Sequence, residues 1–304
     1  IWLTEQMSCN ASQYHTPFAV KIAGPLDETD VRRAVVHIIN NNPAFRTVFG
    51  VDKDRPFQTS NETSDLIFTR KELNGRNLDQ AVHDTLAEEL DRPFDLEKGP
   101  VVRFALIRAD DREHLLLINA HHLVMDGWSK SVFTKQLFQY LETGNDGDPD
   151  ATDAASPYIQ YISGIAENRN KERETENAFW QDAVSGINPV SITTASVGTD
   201  KKDHPVFPFS VPIPSALIDC VKRYAADHST TLFMVMLAGF YTLIYRYTGE
   251  SATTVGTYIS NRSKKALQSV IGCLMSGFPI SVEMDGNQSF ATLCKTVGKQ
   301  FMDV

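Results

Sequence analysis

Two strongly apolar segments, VVRFALIRA (101–109) and EHLLLINAHH (113–122), are separated only by the polar residues DDR. A short polar turn between two runs rich in Val, Ile and Leu predicts a β-hairpin whose strands are buried. The second strand leads into the stretch INAHHLVMDGWS (118–129), which places two histidines, an aspartate and a glycine just after it. The hairpin therefore predicts a buried sheet with side chains suited to catalysis at one end.

Two interpretations of this end remain open from the residues alone. Asp126 and Gly127 could form an ordinary turn, or the loop could be an active site in which a histidine acts as a general base or a hydrogen-bond donor. Successive strand residues point to opposite faces. We therefore expect one of His121 and His122 to face a reaction site and the other to pack into the protein.

The aspartate and the glycine have separate expected roles. The Asp126 carboxylate could hold the loop by pairing with an arginine, and the candidates are Arg103 in the preceding strand and Arg46. Gly127 permits close approach of a ligand to the backbone. Ser129 fits the N-cap of the following helix.

Helical and strand patterns alternate along the chain, which predicts an α/β sandwich in two lobes. A helix should open near Asp27, and its apolar positions are Val31, Ala34, Val35, Ile38 and Ile39. The stretch 185–205 is rich in Ser, Thr and Gly and poor in large apolar residues. It is predicted to connect an N-terminal lobe (1–184) to a C-terminal lobe (206–304). The segment 231–249 is apolar on nearly all sides, which predicts a buried helix.

Charge and composition exclude several classes of function. The net charge is −9 and no run of consecutive basic residues, such as Lys201-Lys202, is longer than two, so neither nucleic acid nor an anionic membrane is an expected partner. No apolar run approaches the roughly 18 residues of a membrane span. The four cysteines are scattered without a Cys-x-x-Cys pair, which indicates reduced thiols in the cytoplasm. Two adjacent histidines on opposite faces chelate poorly, so no metal site is expected.

The segment HHLVMDG (121–127) resembles the His-His-x-x-x-Asp-Gly motif of the condensation domains of nonribosomal peptide synthetases. The resemblance extends along nearly the whole chain, in particular through IWLTEQM, NNPAFRTVF, RPFDLEKGPVVRFALI and IGCLMSGFPISVEM. It implies a two-lobed chloramphenicol-acetyltransferase-like sandwich, a V-shaped pseudodimer with the active site in a tunnel between the lobes. Because the family's sixth and seventh motifs are absent, the C-terminal lobe is expected to be incomplete.

The resemblance also implies a reaction. The amine of an acceptor aminoacyl thioester would attack a donor acyl or peptidyl thioester, and an amide would form. Both substrates would be tethered to peptidyl carrier proteins, an upstream donor and a downstream acceptor, with an adenylation domain in the same assembly line. No cofactor is expected to bind directly, since the phosphopantetheine arms belong to the carriers.

Carried over by position, the motif assigns His122 to the acceptor amine and Gly127 to the approach to His122. His121 and Asp126 become motif scaffold, together with Arg103 or Arg46. Trp128 and Ser276 are possible tunnel-lining residues. The sequence Asp-Gly-Trp-Ser resembles peptide-forming members, whereas epimerisation domains usually continue Asp-Gly-Val-Ser-Trp-Arg.

Several positions depart from the family pattern and leave the substrate subtype open. Asn41 replaces the first arginine of the second motif, and Leu274-Met275-Ser276 replaces the usual Phe-Val-Asn of the fifth. Two alternatives to amide formation therefore stay open. One is a stand-alone or coenzyme A-dependent acyltransferase of the same fold, and the other is a non-catalytic docking module.

Overall fold

The computed structural model describes residues 1–7, 13–53, 55–73, 77–144, 155–171, 177–181, 190 and 211–303. The chain divides into two compact units, Ile1–Asn170 with Ser260–Met275, and Lys171–Ile259 with Ser276–Val304. Apart from residue 190, the predicted connecting segment 185–205 lies outside the described residues. The lobe limits 1–184 and 206–304 stay a prediction, and the contacts group 260–275 with the first unit.

Helices and strands follow one another through the described residues. The elements are α1 (Trp2–Gln6), β1 (Phe18–Ala23), α2 (Glu28–Asn41), a 3-10 turn (Pro43–Arg46), β2 (Thr47–Asp52), β3 (Arg55–Ser60), β4 (Ile67–Glu72), α3 (Leu78–Leu90), β5 (Val102–Arg108), β6 (Glu113–Ala120), α4 (Gly127–Thr143), α5 (Ala155–Lys171), α6 (Ser215–Asp227), α7 (Leu232–Thr248), β7 (Ala252–Ile259), α8 (Lys265–Gln268), β8 (Ser276–Glu283) and α9 (Phe290–Met302).

The predicted hairpin forms the centre of the first unit. Strands β5 and β6 pair antiparallel from Val102↔Ala120 to Arg108↔His114. They occupy the middle of a four-stranded sheet with the order β1-β6-β5-β4, in which only β4 and β5 run parallel. Phe104 stacks on Phe133 of α4, while Arg103, its neighbour on the opposite face, contacts α3 through Glu89. Both faces of the two central strands are therefore covered, as their predominantly apolar sequences require.

Helix α2 shows how directly the sequence specifies this unit. Asp27 is its N-cap and accepts a hydrogen bond from the Thr29 N–H. Its apolar stripe is buried against the core, which confirms the expected positions Val31, Ala34, Val35, Ile38 and Ile39. The helix ends ahead of Pro43, where the 3-10 turn begins.

The second unit has its own core, in which α7 packs with the antiparallel pair β7–β8 and with α9. Tyr241 of α7 is fully buried and donates a hydrogen bond to the Ile280 carbonyl at 2.7 Å. The predicted buried helix is therefore buried on one side within the described residues. One face of the helix is between 45% and 76% exposed, at Phe233, Met236, Phe240, Leu243 and Tyr247.

The described residues contain no single helix that is both long enough and apolar enough to span a membrane. Only α6 and α7 taken together reach that length and composition, and the pair is bent by 107°.

Candidate active site

The loop after β6 is a hydrogen-bonded turn that carries the two histidines. The His121 N–H donates to the Val101 carbonyl at 3.0 Å, and the His122 N–H donates to the Tyr14 carbonyl at 2.8 Å. His121 has no exposed surface, whereas His122 is half-buried. This is the division that strand alternation predicts. The turn and the candidate site are one structure, so the two interpretations of the loop do not exclude each other.

Asp126 is the N-cap of α4, which begins at Gly127. Its Oδ1 accepts hydrogen bonds from the Ser129 N–H at 2.8 Å and the Ser129 hydroxyl at 2.7 Å. The expectation that Ser129 itself caps the helix is therefore wrong, since Ser129 lies three residues after the cap. A Cβ at Gly127 would meet no atom of the described residues within 4 Å. Packing within that part of the chain does not demand a glycine there.

The charged partner of Asp126 is Arg262, which follows β7. Arg262 Nη2 lies 3.1 Å from Oδ1 and 3.0 Å from Oδ2 of Asp126. The two side chains are only 1% and 4% exposed. Arg262 Nη1 donates to the carbonyls of Leu267 and Val270 at 2.8 and 2.6 Å. The ion pair is thus buried and most of its polar atoms are hydrogen-bonded, the condition under which such a pair is tolerated.

The predicted pairing of Asp126 with Arg103 or Arg46 is wrong. Arg103 Nε lies 2.6 Å from Glu89 Oε2, and its guanidinium also lies 4.0 Å from the Phe94 ring centre. Arg46 donates to four backbone carbonyls, those of Ile39, Asn40, Asn61 and Glu62. Both arginines form their hydrogen bonds with groups other than Asp126.

Arg262 is the site residue that sequence reasoning missed. It lies 136 residues from Asp126 in the chain. The surrounding ISNRS has no periodicity that would mark one arginine as buried. The one available signal is its position just beyond a predicted strand, where the chain enters a polar loop.

The two residues that flank Cys273 are tied to the same cluster. Gly272 accepts from Arg262 Nη2 at 3.0 Å and donates its N–H to the Ser129 hydroxyl at 3.0 Å. The Leu274 N–H donates to Asp126 Oδ2 at 3.3 Å. We call Asp126, Ser129 and Arg262, with these backbone groups, the Asp126–Arg262 cluster. It joins the start of α4 to the segment 271–274.

This segment brings Cys273 to His122. Cys273 Sγ lies 3.8 Å from His122 Nδ1. Burial, together with the negative charge of Asp126, raises the pKa of the Cys273 thiol to about 11. The thiol is therefore protonated at neutral pH and is a poor nucleophile.

His121 has a different environment from His122. The Leu123 N–H donates to His121 Nδ1 at 3.2 Å, so the proton of the neutral ring is on Nε2. That nitrogen lies 2.9 Å from Glu5 Oε2, although the contact is not aligned as a hydrogen bond. Burial and the nearby His15 and His122 lower the pKa of His121 to about 3. His121 is thus a neutral structural group.

The remaining candidate residues are Trp128 of the first unit and Ser276 of the second. Trp128 is 46% exposed, and its Nε1 donates to the Gln268 carbonyl at 2.9 Å. Ser276 is exposed and begins β8 in the second unit. Their roles as lining residues stay a prediction.

The comparisons with known proteins agree on one family. The Condensation domain family model matches residues 1–304. The chain is 27% identical over 305 residues to one of the proteins that make up the linear gramicidin synthase of Brevibacillus parabrevis, a match that covers 98% of the chain and 4% of that protein. It is 28% identical over 295 residues to surfactin synthase subunit 1 of Bacillus subtilis (strain 168), a match that covers 95% of the chain and 8% of that protein. The chain therefore spans less than a tenth of the length of these two relatives.

Two solved structures share the fold. The first condensation domain of the calcium-dependent antibiotic synthetase, in complex with a substrate analogue, matches with a TM-score of 0.78 at 22% identity, over 99% of this chain and 72% of that chain. The epimerization domain from the third module of tyrocidine synthetase B matches with a TM-score of 0.79 at 19% identity, over 99% and 69%. The fold is the chloramphenicol-acetyltransferase-like α/β fold expected from the sequence, and both kinds of domain have it.

We predict that Asp126→Ala lowers the free energy of unfolding by about 3–5 kcal/mol, because it leaves the buried Arg262 guanidinium without its charged partner. Urea denaturation measures this loss. The control is Glu88→Ala, which removes an exposed partner of Lys71 and should cost about 0–1 kcal/mol. A loss for Asp126→Ala no larger than that of the control would contradict the assignment of Asp126 to the scaffold.

We also predict that His121 weakens the protein in acid. Its pKa falls from 6.5 to about 3 on folding, so between these values the unfolded chain binds a proton that the folded chain does not. The stabilisation is fully present above about pH 6.5 and is lost as the pH falls toward the folded pKa.

His121→Asn should therefore flatten the dependence of unfolding free energy on pH between about pH 6.5 and 4.5, by up to about 1.4 kcal/mol per pH unit. Urea denaturation at a series of pH values measures the slope. The exposed His83 provides the control His83→Asn, which should leave the slope unchanged. Parallel slopes for wild type and His121→Asn would show that His121 is not buried neutral.

Proposed function

Because the chain belongs to the condensation-domain family, we propose that it forms an amide bond between a donor acyl or peptidyl thioester and the amine of an acceptor aminoacyl thioester. The observation that carries this proposal is the placement of His122. Its ring is half-buried on a turn fixed by backbone hydrogen bonds, while its neighbour His121 is buried and neutral. A partly exposed polar ring on a fixed backbone is suited to orienting a reacting group.

The rate of this reaction depends mainly on how the two substrates are positioned. The acceptor amine attacks the donor carbonyl, a C–N bond forms, the C–S bond breaks, and the donor carrier leaves as a thiol. A neutral amine is a good nucleophile, so holding the two thioesters together supplies much of the rate. In this proposal His122 meets the reacting groups, and Gly127 leaves the approach to His122 open at the exposed start of α4.

The Asp126–Arg262 cluster has a supporting role in this proposal. Both charged side chains of the cluster are buried. It fixes the start of α4 and the segment 271–274, and these two elements flank the histidine loop. Asp126 is therefore assigned to the scaffold and not to the chemistry.

The proposed partners are an upstream donor carrier protein and a downstream acceptor carrier protein, which present their substrates on phosphopantetheine arms, with an adenylation domain in the same assembly line. The names of the relatives, which are synthases of linear gramicidin and surfactin, support this setting. The described cysteines Cys220, Cys273 and Cys294 are free thiols. We place the protein in the cytoplasm, where thiols stay reduced.

The fold does not separate amide formation from epimerisation, because a solved epimerization domain matches as well as a condensation domain. The residues after the histidine motif favour amide formation, since Trp128 and Ser129 follow Gly127 as in peptide-forming members. A test with loaded carriers distinguishes the outcomes. Amide formation gives a new carrier-bound amide, whereas epimerisation inverts one substrate and leaves the acyl group on its own carrier.

We predict that His122→Ala lowers the rate of amide formation by about a hundredfold or more, the range expected for a lost acid–base or orienting group. The rate is measured with both carriers loaded and the chain in its natural flanking sequence. His83→Ala removes an exposed histidine and should leave the rate unchanged. Thermal unfolding of His122→Ala should match the wild type, because the ring is half-buried.

Two results would contradict the proposed function. Equal rates for His122→Ala and the wild type would remove His122 from the reaction. Equal turnover of soluble acyl thioesters in the absence of any carrier would instead indicate a coenzyme A-dependent acyltransferase.

A further inference from the structure

We propose that Cys273 is a positioning residue for His122: its thiol donates to Nδ1 and so holds the ring in the tautomer that presents Nε2–H to the reacting thioester. This inference rests on the proposed function and makes it more specific. It assigns His122 the role of hydrogen-bond donor at the reaction centre and not that of general base.

The contact that carries the inference joins two side chains distant in sequence. Cys273 Sγ lies 3.8 Å from His122 Nδ1, across 151 residues of chain. Sulfur forms longer hydrogen bonds than oxygen, and a thiol has one weak donor and a weakly accepting sulfur. The nitrogen that faces the sulfur is Nδ1, so Nε2 is left for a ligand.

Hydrogen bonds of the residues on both sides of Cys273 fix its backbone. Gly272 is held by Arg262 and by the Ser129 hydroxyl, and Leu274 is held by Asp126. A Cβ on Gly272 would lie 2.8 Å from the ring of Tyr158, so the backbone also packs closely there. With both neighbours fixed, the backbone of Cys273 is held beside the histidine loop.

Protonation of the thiol allows it to donate the hydrogen bond. Burial and the charge of Asp126 raise the pKa of the thiol to about 11, while a hydrogen bond with the Met275 backbone acts in the opposite direction. The sulfur thus accepts from Met275 and keeps its own proton. That proton is available for Nδ1, and a neutral imidazole that accepts at Nδ1 carries its hydrogen on Nε2.

The tautomer has a consequence for the reaction. As the amine attacks, the carbonyl oxygen becomes negatively charged, and a fixed Nε2–H can stabilise that charge. The C–S bond then breaks, the carbonyl re-forms, and the proton released by the amine nitrogen ends on the leaving thiol. His122 returns to its starting state without having gained or lost a proton.

The tautomer is tested directly by NMR of the chain with ¹⁵N-labelled histidine, in which the His122 signals are identified by their loss in His122→Ala. We expect wild-type His122 to show Nε2 protonated and Nδ1 unprotonated at neutral pH. A wild-type ring protonated at Nδ1 would overturn the inference without any cysteine variant. This readout does not require activity, so it is independent of the proposed function.

Variants of the thiol test its effect on the rate. Cys273→Ala should lower kcat for amide formation about fivefold, the equivalent of one lost hydrogen bond, with KM unchanged, and should mix the two His122 tautomers. Cys273→Ser retains a donor and should keep the Nε2–H tautomer. Cys294→Ala is the matched control, since it removes a buried thiol in the second unit, and it should change neither readout.

The outcomes separate the two proposals. If the wild type forms no amide with loaded carriers, the proposed function fails whatever the NMR shows. If the wild type is active but Cys273→Ala has wild-type kcat and a wild-type His122 spectrum, the inference about Cys273 fails and the proposed function stands.

Discussion

The buried ion pair between Asp126 and Arg262 is the interaction on which the candidate site depends. A carboxylate and a guanidinium with at most 4% of their side chains exposed are unfavourable in a protein interior unless each is paired and hydrogen-bonded. Here the hydrogen bonds are with α4, with the segment 267–274 and between the two charges themselves. The requirement to satisfy two buried charges thus fixes the loop geometry around His122. Replacing such a pair by apolar residues is often neutral for stability, whereas removing one partner alone is costly.

The two histidines show how one loop separates support from chemistry. The His121 ring accepts a hydrogen bond from Leu123, and its lowered pKa keeps it neutral inside the core. The turn that it stabilises carries His122, which retains a partly exposed ring. Adjacent residues in an extended chain point to opposite sides. Two identical side chains next to each other in sequence therefore lie in two different environments.

Local patterns predicted the elements of the first unit well. Helix α2 could be predicted because its apolar spacing, its cap Asp27 and the stop at Pro43 all lie within a short window. The hairpin β5–β6 was predictable for the same reason. In the site, the burial of His121 followed from strand alternation, whereas the partner of Asp126 did not. Arg103 and Arg46 were the near candidates, and only the folded chain brings Arg262 to Asp126.

The long apolar helix α7 illustrates a second limit. Composition predicted a buried helix, but a helix can be apolar throughout and still have one face exposed in the described part of the chain. Composition reports how much apolar surface an element has, and it does not report how many neighbours are present to cover that surface.

The segment 260–275 leaves the second unit after β7 and returns to it at β8, although its contacts group it with the first unit. Asp126 therefore has no charged partner until Arg262, which lies 136 residues later in the chain, has been synthesised. At cellular elongation rates this interval is roughly 10 seconds. Until Arg262 has been synthesised, the Asp126 carboxylate stays hydrated. The start of α4 and the histidine loop therefore cannot be desolvated. Completion of the first unit is thus coupled to synthesis of the second, because the candidate site cannot be completed until α6, α7 and β7 have been synthesised.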